Sequence, residues 1–352
     1  MRTVAINASR KYDVVIGQGL LQNLGKMISE VTSGRTAIIV SDDNVFPLYG
    51  STVKEQLLSA GFEITEFVFL SGENSKNLDT YGKLLNTMSE KHLTRNDVVV
   101  ALGGGVVGDL AGFAAATYQR GTGFVQVPTS LLAAVDSSVG GKTAVDLPSG
   151  KNQVGAFYQP SLVLCDTDTL KTLPDVEYRN GCAEIIKYAM IEDEALFEKI
   201  KATPIKDQYE EIIEICVKTK QLYVESDEFD VGKRMFLNFG HTIGHCVEAC
   251  SNYEIPHGQG VAIGMVAITK AAWEKGFCSL ELCEKLNELI EYYSLPTKLP
   301  FTAEEMFGAS LSDKKNFGKK MRLIVPESIG KCRIETIGQD DFMTWLKSGG
   351  AQ

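Results

Sequence analysis

Residues 97–117 read DVVVALGGGVVGDLAGFAAAT and give the clearest indication of fold class in the sequence. It begins with an apolar run, the kind of strand that is buried on both faces of a parallel sheet. The run leads into three glycines and then into a helix. Glycines allow the backbone to approach a pyrophosphate closely, and a helix N-terminus presents free N–H groups and a positive dipole end. The glycines match GxGxxG, a weak pattern that a tight turn without a ligand also satisfies, and they stand in a later βα unit than an ordinary Rossmann fingerprint.

Strands and helices alternate on both sides of this stretch. The sequence predicts strands at 37–41, 64–70, 124–130 and 163–166, helices at 49–58 and 78–92, and an N-terminal hairpin of strands 4–6 and 12–16. Repeated βα units predict an open α/β sheet, whose ligands bind beyond the carboxyl ends of the strands. Asp42 stands at one such end, where a carboxylate can hydrogen-bond a ribose hydroxyl and repel a 2′-phosphate, which favours NAD over NADP.

A segment rich in glycine and serine follows strand 124–130, and we expect it to form a loop. It contains Asp136, Lys142, Lys151 and Asn152. Two lysines and many backbone N–H groups are typical of a phosphate cradle. A solvated loop with surface lysines is the alternative.

Three of the four histidines lie in residues 234–257, RMFLNFGHTIGHCVEACSNYEIPH. His241 and His245 are four residues apart, so on a helix they share one face, and His257 follows after a loop. Imidazoles in this arrangement suit Zn²⁺, although polar residues packed at a helix interface are the simpler alternative. HTIGH lacks the glutamate of the HExxH pattern, so a carboxylate ligand must come from elsewhere.

Glu184 is the candidate for that carboxylate, because it follows NGCA in an apolar helical segment. A surface ion pair with Lys187 is the alternative interpretation of this glutamate. The pattern is mainly helical from Pro174 onward. We therefore predict two domains, an α/β nucleotide-binding domain at 1–170 and a mainly helical metal- and substrate-binding domain at 171–352, with the site in the cleft between them.

Composition excludes several classes of partner. The formal net charge of −10 argues against nucleic acid and anionic membranes, which attract basic surfaces. The sequence contains no run of about 20 apolar residues, so it predicts no membrane span. The N-terminus does not resemble a secretory signal. The eight cysteines include no CxxC, which favours reduced, buried thiols and a cytoplasmic protein.

Six segments carry a resemblance to a known family. They are GGGVVGDLAGFAAATYQRG, QVPTSLLAAVDSSVGGKTAVD, GKNQVGAFYQP, GCAEIIKYAMI, NFGHTIGH and HGQGVAIGM. Together they resemble the 3-dehydroquinate synthase family of the shikimate pathway. The resemblance implies NAD, Zn²⁺ or Co²⁺ as metal, and a cytoplasmic homodimer. The implied lyase reaction converts 3-deoxy-D-arabino-heptulosonate 7-phosphate to 3-dehydroquinate and phosphate by transient oxidation, β-elimination, reduction and aldol closure.

The resemblance also implies roles for individual residues. The implied metal ligands are Glu184, His241 and His257. His245, which spacing alone would place on the metal, is implied in proton transfer; the other residues implied in catalysis are Lys142, Lys187 and Asn152. The implied substrate-binding set is Asp136, Lys142, Asn152, Lys187, Lys220, Arg234, Asn238, His245, Lys314 and, reaching the neighbouring subunit's site, Arg120. The implied NAD contacts are Asp42, Glu73, Lys76, Gly104, Gly105, Val106, Val107, Gly108, Asp109, Thr129, Ser130, Lys142, Lys151, Thr169, Leu170 and Thr172.

Two positions depart from the family pattern: Gln259 replaces a frequent glutamate, and Cys246 replaces a small apolar residue. Gln259 carries no charge, so metal affinity is the property most affected. Three alternatives share parts of this equipment: a sister cyclase acting on glucose 6-phosphate, a metal-dependent polyol dehydrogenase and an inactive NAD-binding regulator. Arg234 and Asn238 favour a substrate that carries a carboxylate.

Overall fold

The computed structural model describes residues 1–312 and 320–352. Its strands are β1 (Arg2–Asn7), β2 (Lys11–Gly17), β3 (Thr36–Asp42), β4 (Glu63–Phe69), β5 (Val98–Gly103), β6 (Gly123–Pro128), β7 (Lys142–Leu147), β8 (Gly150–Phe157), β9 (Leu162–Asp166), β10 (Lys320–Ser328) and β11 (Lys331–Gly338). Its α-helices are α1 (Leu24–Val31), α2 (Phe46–Ser59), α3 (Leu78–Glu90), α4 (Gly105–Thr117), α5 (Asp175–Glu192), α6 (Glu194–Ala202), α7 (Tyr209–Ser226), α8 (His241–Cys250), α9 (His257–Glu274), α10 (Leu280–Tyr292), α11 (Ala303–Ser312) and α12 (Phe342–Ser348).

The chain divides into two compact units. The first comprises Met1–Pro174 and Tyr209–Phe229, and the second comprises Asp175–Gln208 and Asp230–Gln352. Helix α7 therefore belongs with the first unit, whereas the sequence places it in the second domain. The physical reason is that α7 packs against β1 and β2. Its Glu225 also accepts the backbone N–H of Asn7 at 2.7 Å.

The first unit is built on a seven-stranded sheet of order β1-β2-β9-β6-β5-β3-β4. Strands β1 and β2 form the predicted antiparallel hairpin, and the other neighbours pair in parallel. Successive side chains of a strand point to opposite faces. Accordingly Ile39 packs in one apolar cluster with α1 and α2, and Ile38 packs in another with α3 and α4. Burial on both faces explains why the central strands are continuous apolar runs.

The segment after β6 differs from the loop that the sequence predicts. It forms a helical turn at Ala133–Ser137 and an antiparallel hairpin of β7 and β8. The loop prediction is therefore wrong for these residues. Strand β7 is short, and its residues Thr143, Ala144 and Val145 are all buried, so it shows no alternating pattern; the glycines and serines on either side of it further obscured the strand.

The second unit owes its geometry to helices that approach closely at glycines. A Cβ on Gly264 in α9 would lie 1.9 Å from the carbonyl oxygen of Gly240, and one on Gly258 would lie 2.4 Å from Cα of Asn180 in α5. Side chains at these positions would push α9 away from α8 and α5. The glycines thus let His257, the first residue of α9, lie close to both helices. Among the described residues, no helix is long and apolar enough to cross a bilayer.

Candidate metal and nucleotide sites

One carboxylate and two imidazoles converge within the second unit, each from a different helix. Nε2 of His257 lies 3.3 Å from Oε1 of Glu184, and Nε2 of His241 lies 3.5 Å from the same oxygen. The potential ligand atoms of the three residues all lie within 4.8 Å of one another. Two nitrogens and one carboxylate oxygen form a donor set that suits a catalytic zinc ion and leaves a coordination position open.

The second ring nitrogen of each histidine has its own acceptor. Nδ1 of His241 lies 3.1 Å from the carbonyl oxygen of Phe239, and Nδ1 of His257 lies 2.9 Å from Oε1 of Glu248. Both acceptors favour a proton on Nδ1, so the lone pair of each neutral ring is on Nε2, the atom nearer Glu184. Outer hydrogen bonds of this kind orient metal-ligating histidines.

The environment of Glu184 fits a cation. Its side chain is 1% exposed, and in the described part of the chain neither carboxylate oxygen accepts a well-aligned hydrogen bond. Lys187 Nζ lies 2.5 Å from Oε2 and is equally buried, so the alternative of a surface pair is wrong. A buried carboxylate is costly unless its charge is balanced. Lys187 balances the charge at Oε2. A divalent ion held by Oε1 and the two Nε2 atoms would give Oε1 a partner as well.

The two imidazoles differ in pKa. Burial, reinforced by the positive charge of Lys187, holds the pKa of His241 well below its usual value. Burial also acts to lower the pKa of His257, but the carboxylates of Glu184 and Glu248 outweigh it and raise that pKa to about 10. His241 is therefore neutral at pH 7, and binding of a metal at His257 requires release of its proton.

His245 belongs to a second, overlapping group. Its ligand atom and those of Glu248 and His257 also lie within 4.8 Å of one another. The His245 ring is 5.5 Å from the ring of His241 and 5.9 Å from that of His257, measured between centroids. A metal in this second group would compete with the hydrogen bond between His257 and Glu248. The geometry therefore favours the group that contains Glu184.

Other predicted substrate residues in this unit lie close in sequence to the histidines. Arg234 is 2% exposed and stands in the short helical turn Lys233–Asn238, which leads towards α8. Asn238 ends the same turn and is half-buried. Lys314 lies outside the described residues.

The predicted nucleotide contacts in the first unit follow the carboxyl ends of parallel strands. Asp42 ends β3, the glycine turn follows β5, Thr129 follows β6, and Thr169 follows β9. Because neighbouring parallel strands end at one edge of a sheet, these segments lie along one edge. The strand order reverses between β3 and β5, the switch point where ligands of such sheets bind. Gly104 is the N-cap of α4, whose free N–H groups suit a pyrophosphate.

A buried lysine gathers several of the predicted residues near that edge. Nζ of Lys76 lies 2.7 Å from Oδ1 of Asn152, 3.1 Å from Glu73 and 3.2 Å from Asp109. Lys151 lies 3.7 Å from the same glutamate. Burial lowers the pKa of Lys76, but the surrounding carboxylates outweigh burial and raise it. The lysine is therefore charged, and it balances the carboxylates around it.

Four further predicted residues of this unit, Asp136, Lys220, Lys142 and Arg120, lie on other elements of the chain. Lys220 of α7 is 5% exposed and pairs with Asp136 through its carboxylate and, at 2.6 Å, its carbonyl oxygen. Lys142 is exposed at the start of β7. Arg120 is exposed in a tight turn, with φ of 51° at Gln119, 64° at Arg120 and 122° at Gly121.

Sequence reasoning missed two acidic residues of these clusters. Asp146 accepts the backbone N–H of Asn152 at 2.7 Å and lies 3.9 Å from Lys76 Nζ. Glu248, 2% exposed, is the partner of His257. A signal for Glu248 was present, because it falls one helical turn after His245 on a helix with buried apolar neighbours.

Solved structures place this fold in the class of sugar-phosphate cyclases. A 2-deoxy-scyllo-inosose synthase, solved with carbaglucose-6-phosphate, NAD⁺ and Co²⁺, superposes with a TM-score of 0.89 at 25% identity over 100% of both chains. A 2-epi-5-epi-valiolone synthase from Streptomyces hygroscopicus subsp. jinggangensis, with NAD⁺ and Zn²⁺ bound, superposes with a TM-score of 0.88 at 26% identity over 99% of both chains.

The chain belongs to the 3-dehydroquinate synthase family. The family models for its N-terminal and C-terminal parts match residues 66–180 and 181–316. A 3-dehydroquinate synthase from Clostridium botulinum is 41% identical over 97% of this chain and 100% of the relative. The family resemblance and the fold class predicted from the sequence are thereby confirmed.

Proposed function

We propose that this chain converts 3-deoxy-D-arabino-heptulosonate 7-phosphate to 3-dehydroquinate and phosphate, using NAD and a zinc or cobalt ion. The observation that carries the proposal is the convergence of Glu184, His241 and His257 in a member of this family. The NAD⁺ and metals of the two cyclase structures support the same cofactors here. The overall reaction is that of a carbon–oxygen lyase, because the cofactor is regenerated in each turnover.

When bound, NAD would supply the acceptor for the hydride on C5 of the substrate and the donor that returns it, and the metal would supply a Lewis acid for the C5 hydroxyl, which loses its proton. The residues of the chain hold these groups in place. Glu184, His241 and His257 would hold the metal, and the glycine turn before α4 would bind the pyrophosphate of the cofactor. Asp42 would hydrogen-bond a ribose hydroxyl.

The substrate carries two anionic groups that need cationic partners. Arg234 would bind the carboxylate through both arms of its guanidinium. Lys142 and Asn152 would hold the phosphate, which can itself accept the C6 proton once C5 is a ketone. Lys220 and Asp136 already form an ion pair, and we expect this pair to bind the substrate together. His245 would move a proton between the substrate and solvent.

We also propose that the enzyme is a cytoplasmic homodimer in which Arg120 reaches the phosphate site of the neighbouring subunit. The exposure of Arg120 and the left-handed turn that presents it support this role. Cyclic dimers are the commonest form of soluble oligomers. Sedimentation equilibrium measures the oligomeric state of the protein. A monomer at the concentration used in the assay would contradict the proposal.

Phosphate release from the purified protein tests the function directly. With NAD and zinc we expect release from the heptulosonate phosphate, none from glucose 6-phosphate, and no net accumulation of NADH. A chelator should stop the reaction, and added Zn²⁺ or Co²⁺ should restore it. Release from glucose 6-phosphate would identify a sister cyclase instead, and net NADH would identify a dehydrogenase.

Arg234→Lys is expected to lower kcat/KM by about 10–100-fold, the effect of about 1.5–3 kcal/mol from a lost charged hydrogen bond. Lysine keeps the charge but cannot form the bidentate pair. The dissociation constant for NAD should stay unchanged. Arg333→Lys, at a side chain that is 45% exposed, is the matched control and should leave kcat/KM unaltered. Equal loss of NAD affinity in Arg234→Lys would place the arginine in the fold or the cofactor site.

A further inference from the structure

We propose that Glu248 is a positioning residue of the metal site, which holds His257 in the ring orientation and tautomer that coordination through Nε2 requires. The inference rests on the proposed function, because coordination by His257 is part of that proposal. It adds a residue of α8 that is not itself counted among the three ligands.

The first support is the contact itself. Oε1 of Glu248 lies 2.9 Å from Nδ1 of His257, while Nε2 of the same ring lies 3.3 Å from Oε1 of Glu184. The ring is thus held between two carboxylates, one at each nitrogen. Since a neutral imidazole has one N–H and one lone pair, an anionic acceptor at Nδ1 assigns the lone pair to Nε2.

The second support is the contrast between the two histidines. Nδ1 of His241 faces a neutral acceptor, the carbonyl oxygen of Phe239 at 3.1 Å. Nδ1 of His257 faces a carboxylate that is 2% exposed and therefore little screened by water. A carboxylate partner makes an imidazole a more basic metal ligand. His257 should therefore depend on its partner more strongly than His241 does.

The third support is that Gly260 leaves room for the side chain of Glu248, whose backbone is fixed by hydrogen bonds. A Cβ on Gly260 would lie 3.2 Å from Cγ of Glu248 and 3.0 Å from the carbonyl oxygen of Gly244. The carbonyl oxygen of Glu248 accepts the N–H of Tyr253 and the hydroxyl of Ser251, each at 2.8 Å. The residue is thus anchored at the end of α8, beside the first turn of α9.

A different role for the same carboxylate is direct coordination in the group formed with His245 and His257. The two roles predict different results for Glu248→Gln. A ligand replaced by an amide should lose the metal as fully as His257→Ala does. A positioning residue replaced by an isosteric amide should keep one equivalent of metal with weaker affinity.

The experiment compares the full-length wild-type protein with Glu248→Gln. The zinc dissociation constant is measured by competition with a chromophoric chelator, and the visible absorption bands are recorded for the Co²⁺-substituted protein. We expect the dissociation constant to rise 10–100-fold, as is typical for loss of an outer hydrogen-bond partner, and the Co²⁺ bands to shift. Cys246→Ala is the matched control, because Cys246 is buried in the same helix and its thiol donates to the carbonyl oxygen of Thr242 at 3.3 Å. It should bind zinc as the wild type does.

Wild-type zinc affinity and an unchanged Co²⁺ spectrum in Glu248→Gln would overturn the inference, and so would complete loss of metal. If the glutamine variant does not fold, Glu248→Asp, which keeps the charge but shortens the reach, should show weakened zinc binding, and wild-type affinity in it would be equally contrary. Metal binding is measured without turnover. A wild-type protein that binds zinc but releases no phosphate from the heptulosonate phosphate would therefore refute the proposed function alone.

Discussion

Replacement of any one of the three proposed ligands is expected to abolish phosphate release and to leave less than one equivalent of metal after dialysis. The variants are Glu184→Gln, His241→Ala and His257→Ala. A catalytic zinc ion is held by three protein ligands and needs a fourth position for the substrate, so two remaining ligands hold it too weakly. Metal content by atomic emission and phosphate release are measured on the same preparations.

The matched control for this experiment is Glu254→Gln, which removes an exposed carboxylate three residues before His257. It should retain both metal and activity. Thermal denaturation of the metal-free proteins separates loss of the ligand from loss of the fold. Glu184→Gln needs this measurement most, because it leaves the buried ammonium of Lys187 without the carboxylate that lies 2.5 Å away. Wild-type metal content in His257→Ala would remove that histidine from the site.

The central strands could be predicted from the sequence because their burial is a local property of the chain. Strand β5 is buried at every residue, and an apolar run records that directly. The β7–β8 hairpin was missed for the opposite reason. Neither strand shows a clean alternation of buried and exposed residues, because three consecutive residues of β7 are buried and no residue of β8 is fully buried. The grouping of helix α7 with the first unit could not be predicted either, because its contacts with β1 and β2 join segments about two hundred residues apart.

Only part of the candidate metal site could be predicted from the sequence. The spacing of His241 and His245 correctly indicated a shared helix, but it could not show which of them faces Glu184. That choice depends on how α5, α8 and α9 approach one another, and glycine contacts between distant residues decide it. Glu248 and Asp146 were missed for the same reason. Each acts through a hydrogen bond to a residue on another element, which periodicity does not reveal.

His245 provides the sharpest test of that three-dimensional choice. Both histidines of HTIGH belong to α8, and the centroids of their rings are 5.5 Å apart. His241 lies 3.5 Å from Glu184 and joins it in one ligand group, whereas His245 joins Glu248 and His257 in the other. One ion held by Glu184, His241 and His257 has its three protein ligands. A fourth would occupy the position that the substrate hydroxyl needs.

His245→Ala is therefore expected to keep one equivalent of metal and an unchanged dissociation constant for NAD. Its turnover should fall by roughly 10²–10⁴-fold, the usual effect of losing an acid–base group, because an imidazole titrates near neutral pH and can move the protons of the reaction. Metal content, NAD affinity and kcat are compared with those of His241→Ala. His245→Gln serves as the control for packing, since it fills similar space and hydrogen-bonds without titrating, and it should be as slow as the alanine variant. Metal loss in His245→Ala as large as in His241→Ala would show instead that both histidines of the helix bind the ion.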